Sequence, residues 1–69
     1  MTKIAQIIEE KGLRKGFIAQ KAKISASAMS KILSGETKEP KLRVAIRLAR
    51  VLNTTVEELW GHLLDEEER

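Results

Sequence analysis

Between Pro40 and Asn53 the chain packs Leu42, Val44, Ala45, Ile46, Leu48, Ala49, Val51 and Leu52 into three helical turns. That is too many apolar residues for one narrow stripe. The spacing predicts a core helix, buried on much of its circumference, around which a small domain can close. Pro40 is placed to take its first position, where a missing N–H costs nothing, and Asn53 to take the left-handed position after it. The run falls well short of the roughly 18 apolar residues of a membrane span, and the residues from Met1 to Glu10 lack the layout of a signal peptide. A cytoplasmic location is therefore expected. At 69 residues the chain is expected to hold one domain, with no second, effector-binding one. With no cysteine there is neither a disulfide framework nor a thiolate metal site, so stability has to come from helix packing.

The remaining apolar residues also recur at helical spacing. Ile4, Ile7 and Ile8 define an amphipathic first helix from Lys3 to Lys11, stopped by Gly12. A second, barely two turns long, runs from about Lys15 to Ala22 on Phe17, Ile18, Ala19 and Ala22. Lys23 and Ile24 form a short connection, and Ser25 is a good N-cap for a third helix carrying Met29, Ile32 and Leu33, which Gly35 closes. Residues 34–40 read as turn and loop. Thr55, with Glu58 three residues on, forms a capping box for a fifth helix whose apolar members are Val56, Leu59, Trp60, Leu63 and Leu64. This divides the chain into a folded domain at 1–64 and a short acidic tail at 65–69, which is expected to fray. No stretch alternates with period two. The expected fold is all-α, five short helices joined by short loops.

Net charge is +3, but it is unevenly distributed. Up to Arg50 there are twelve Lys or Arg against four acids; from Val51 onward there is one Arg against six acids. A basic body with an acidic end suggests a surface for a polyanion, because field steering depends on clustered charge more than on the net value. The competing reading is a solvated surface of lysine-rich helices.

The stretch from Lys15 to Ser34 discriminates between them. Its two short helices surround Lys23 and Ile24, with apolar residues at 18, 19, 22, 24, 29 and 32 and a small residue, Ala19, where two steeply crossing helices approach. This is helix-turn-helix spacing, at about residues 15–34. Leu13, Ile18, Ala19, Ile24, Ser25, Ser30, Ile32, Gly35, Pro40, Leu48, Ala49, Leu52, Val56, Glu58 and Leu59 complete a pattern that runs from about Ile4 to Trp60. It resembles the Cro and phage lambda repressor-like family, also called the xenobiotic response element family. The resemblance implies a five-helix DNA-binding domain of prokaryotic type that sits on two half-sites as a dimer. The chain departs from the family at four positions: Lys15 replaces a glutamine, Lys23 a glycine, Leu33 a glutamate, and Arg14 a serine or threonine cap.

A recognition helix must bury one face and show the other to bases. Ala26, Ser27, Ser30 and Lys31 lie opposite Met29, Ile32 and Leu33 and are the candidate base contacts. The serines can donate or accept, Ala26 can touch a thymine methyl, and Lys31 suits guanine O6 and N7. Candidate phosphate contacts are Lys15, Ser25, Lys23, Ser34, Lys38, Lys41 and Arg43, with Lys21 as a further flanking cation. Val56, Trp60, Leu63 and Leu64 exceed what so small a core is expected to bury and are candidates for a homodimer interface. The expected function is a sequence-specific regulator of transcription on the nucleoid, a repressor on a palindromic operator. The alternative is a helical protein-binding module, such as an antitoxin-like partner binder, and a regulatory protein partner fits either reading. No cofactor or metal is expected, and no enzyme: the paired acids Glu9/Glu10 and Glu57/Glu58 sit on exposed helix faces, and His62 has no second histidine or cysteine to work with.

Overall fold

In a computed structural model, which describes residues 1–67, the helical periodicity gives α1 (Lys3–Lys11), α2 (Lys15–Ala22), α3 (Ala26–Ser34), α4 (Leu42–Val51), α5 (Val56–Trp60) and α6 (His62–Glu67). No strand occurs among the described residues. The first three helices have the expected bounds because their stop signals are local. Gly12, Lys23 and Gly35 all take the left-handed conformation, at φ 65°, 61° and 88°. Asn53 does the same after α4, at φ 55°. At Lys23 the turn is closed by two backbone bonds, Lys23 N–H to Gln20 O at 3.2 Å and Ile24 N–H to Ala19 O at 3.0 Å. The paired bonds are those of a Schellman motif, with a lysine where glycine is favoured.

Two boundaries differ from expectation. Lys41, with extended backbone (φ −59°, ψ 150°), takes the N-cap of α4, so that helix begins at Leu42 and Pro40 lies outside it. Pro40 instead lines a groove with Val56, Trp60 and Leu63. The fifth helix arrives in two pieces. Gly61 separates α5 from α6 while keeping right-handed angles (φ −59°, ψ −27°), and the Leu64 N–H bonds back to the Gly61 carbonyl at 3.1 Å. The helix is thus tightened rather than ended, and residues 65–67 continue α6 instead of fraying. Glu68 and Arg69 lie outside the described residues.

The core joins Ile4 and Ile8 of α1, Ile18, Ala19 and Ala22 of α2, Met29 and Ile32 of α3, Leu48 and Ala49 of α4, Leu52 just after it, and Leu59 of α5. Helix α2 packs chiefly on α4 and α3, so it is the beam that carries the third helix. Among the described residues no polar or charged side chain is buried. The expectation for α4 is corrected here: Leu42 is 70% exposed and Ile46 36%, leaving Ala45, Leu48 and Ala49 as its buried residues. A chain of this size supplies partners for only one side of the helix. Phe17, an apolar position of the second helix, is likewise 47% exposed, with the Lys21 ammonium 5.6 Å from its ring centroid.

Candidate nucleic-acid interface

Helix α3 has the two faces that its spacing predicted. Met29 and Ile32 are buried and Ala28 and Leu33 half-buried, while Ala26, Ser27, Ser30, Lys31 and Ser34 are exposed. Its outer face is therefore short-chained and polar with one long cation, and narrow enough to approach a groove floor closely. The inner face fixes which residues point outward, because Met29 and Ile32 cannot both leave the core without exposing apolar surface.

The helix starts fall into two groups. Helices α1, α3 and α5 each begin with a hydroxyl cap. Thr2 Oγ1 accepts the Ala5 N–H at 3.2 Å, Ser25 Oγ the Ala28 N–H at 3.1 Å, and Thr55 Oγ1 the Glu58 N–H at 3.0 Å. Helices α2 and α4 begin with Arg14 and Lys41, neither of which makes a side-chain capping bond, and neither helix has an acid in its first turn. Lys15 follows directly in α2 and Arg43 two residues on in α4, both exposed. A helix start carries unpaired N–H groups and partial positive charge, so adding cations there is unfavourable for the free protein. The same arrangement favours an anion such as a phosphate, which the N–H groups and the cations contact together.

The other candidate residues separate on geometry. Lys23 is exposed at the turn between α2 and α3. Ser25 uses its oxygen as the α3 cap and keeps its proton free to donate. Ser34 has spent its proton, which it donates to the Lys31 carbonyl at 3.1 Å, while its oxygen accepts the Glu36 N–H at 3.3 Å. It holds the turn after α3. Lys38 lines a surface depression with Leu63, Glu66 and Glu67. Its charge lies beside the acidic helix.

On the α5–α6 side, Val56, Trp60 and Leu63 are half-buried and Leu64 is 56% exposed. Leu42 and Pro40, which the sequence places at the start of the core helix and not at an interface, form one groove with Val56, Trp60 and Leu63. The capping box at Thr55 is half made. Glu58 does not return to the Thr55 N–H; its Oε1 meets Lys3 Nζ at 3.3 Å, linking α5 to α1. Sequence reasoning also missed Thr2, whose hydroxyl reaches the carbonyl of Leu33 at 2.9 Å. Its only local signal is a threonine just ahead of the first helical residue.

No described helix is long and apolar enough to cross a membrane. Among known proteins, the family described as Helix-turn-helix matches residues 4–59, a span that includes α2, α3 and the turn between them. No curated protein and no solved structure matches the chain.

Proposed function

Since the chain belongs to the Cro/C1-type helix-turn-helix family, a family of DNA-binding regulators and not of enzymes, we propose that it is a sequence-specific repressor of transcription. It occupies a palindromic operator as a symmetric dimer and blocks a promoter by covering it. Helix α3 lies in the major groove, with Ala26, Ser27, Ser30 and Lys31 against base edges. Lys15, Lys23, Ser25, Ser34, Lys38, Lys41 and Arg43 hold the backbone on either side.

The observation that carries this reading is the pair of uncapped, cationic helix starts at α2 and α4 beside three helices that are capped. Open N–H groups at an exposed helix start are otherwise left to water, and a polyanion would use them together with the adjoining cations. Dimerisation is supported by the groove of Leu42, Val56, Trp60 and Leu63, which the chain covers only in part, and by the exposed Leu64 next to Leu63 in α6. The two-fold axis of such a dimer would match an inverted repeat.

Selection of bound duplexes from a random pool at near-physiological salt tests the proposal. Enrichment of an inverted repeat with half-sites about one helical turn apart is the expected result. Salt-sensitive retention without enrichment would reduce the function to backbone binding. No retention would sink the DNA reading and turn attention to the apolar groove as a site for another protein.

A further inference from the structure

The last turn of α3 has an unusual set of hydrogen-bond partners. In a helix that continued, the Leu33 carbonyl would accept the N–H of residue 37. Gly35, at φ 88°, turns the chain instead, and the Thr37 N–H goes back to the Lys31 carbonyl at 3.0 Å. The Gly35 N–H bonds Ile32 O at 3.3 Å. Leu33 O is left to a partner from far away in sequence: Thr2 Oγ1 donates its proton to it at 2.9 Å, across a separation of 31 residues.

Thr2 is itself held from several directions. Its Oγ1 accepts the Ala5 N–H as the cap of α1, and its backbone carbonyl accepts the Gln6 N–H at 3.0 Å. Its Cγ2 lies 3.4 Å from where a Cβ on Gly35 would stand, so methyl and glycine are in contact range. Being β-branched, threonine has few side-chain rotamers, and both ends of its hydroxyl are committed here. Helix α1 is in turn fixed to the core by Ile4 and Ile8.

We infer that Thr2 is a positioning residue for base reading: it ties the C-terminal end of the reading helix to the start of α1 and so sets where Lys31 reaches. This rests on the proposed function and adds a residue that touches no DNA. Without the bond, the C-terminal end of α3 keeps the packing of Ile32 and Leu33 on the core and its own loop, but has no hydrogen bond to α1 that fixes its position. A side chain two residues upstream of Leu33 then loses its registry with a base edge, to which tolerances of a few tenths of an ångström apply.

The test separates this bond from the capping role. Thr2→Asp keeps an oxygen to cap α1, since aspartate caps as well as threonine, but a carboxylate has no proton for Leu33 O. Thr2→Ser keeps both. For each variant, binding to the selected operator and to a scrambled duplex is measured at the same salt. The ratio of the two cancels the general effect of added charge. Thr2→Asp should lower that ratio about tenfold, within the range one base contact carries, and Thr2→Ser should restore it. Amide exchange at Gly35 and Thr37 should speed up in Thr2→Asp and not in Thr2→Ser. Thermal midpoints are read alongside, and Thr2→Val, which removes the hydroxyl without adding charge, replaces Thr2→Asp if that variant does not fold. An unchanged ratio in both proton-lacking variants overturns the inference, as does unchanged exchange. If the wild-type protein itself shows no preference between duplexes, the proposed function has failed first and the positioning role fails with it.

Discussion

Ile24 donates its backbone N–H to the carbonyl of Ala19 at 3.0 Å, and the residue between the two helices, Lys23, accepts a left-handed backbone at φ 61° so that this bond can form. A side chain in that region costs about 1–2 kcal/mol relative to an ordinary helical residue. Part of that is recovered because a lysine restricts the unfolded chain more than glycine does. Lys23→Gly should therefore stabilise the free protein by about 0.5–1 kcal/mol, a rise in Tm of roughly 2–8 °C for a domain of this size. It should also weaken DNA binding, because an exposed cation beside α3 is lost. Melting and binding measured on one preparation check this, and a loss of stability would show that Lys23 has local partners beyond the turn.

The open start of α2 gives a second pair of opposed effects. Arg14→Asp supplies a cap and an acid at the positive end of the helix, worth about 1 kcal/mol to the free protein. It also claims N–H groups that the proposal assigns to phosphate. Affinity for any duplex should fall by about tenfold at near-physiological salt while the melting temperature rises. Equal affinity in the two proteins would remove the α2 start from the interface.

Lys31 and Lys41 should fail in different ways. Lys31→Ala takes a base contact from the exposed face of α3 and should relax preference at one position of each half-site, at a cost of about 1–3 kcal/mol for the preferred base. Lys41→Ala should weaken all sequences alike and reduce the slope of log affinity against log salt by about one. Binding titrations over a salt series on operator and scrambled DNA distinguish them; similar loss of preference in both mutants would refute the division of labour.

Leu64 is exposed enough that its replacement should not disturb the core. Leu64→Glu places a charge on the exposed apolar side of α6 and should dissociate the proposed dimer, while helix content is unchanged and the folding stability of the monomer moves by no more than about 0.5 kcal/mol. Sedimentation equilibrium at tens of micromolar, a concentration that reads weak association, is the measurement. A parent protein that sediments as a monomer with and without operator would remove the symmetric-dimer reading altogether.

What was legible in the sequence was what is decided locally. Gly12, Ser25 and Gly35 bound their helices through bonds made within four residues, and the outward face of α3 follows from the positions of Met29 and Ile32. The strained turn at Lys23 could be read for the same reason. Features that depend on a distant partner could not be read. The apolar count in α4 says nothing about how many sides the rest of a short chain can cover, and Leu42 and Ile46 remained outside. Gly61 keeps helical angles, so neither its φ nor the apolar spacing marks the break between α5 and α6. Ser34 and Lys38 have the right chemistry for phosphate, but their neighbours depend on the path of the turn after α3, which brings the Ser34 hydroxyl to backbone partners and the Lys38 charge toward α6. Thr2 was invisible as a functional residue because its partner is an ordinary backbone carbonyl.

The two bare helix starts also bear on how long a molecule of the protein lasts. A ligand that binds only the native state lowers the opened population in proportion to its occupancy. Proteases that cleave transiently opened chains sample that population. Under the proposed function, protein seated on its operator is sheltered, while surplus protein keeps the electrostatic penalty of α2 and α4 and is degraded first. Turnover would then trim the free pool toward the number of sites to be filled, with no inducer and no second domain required.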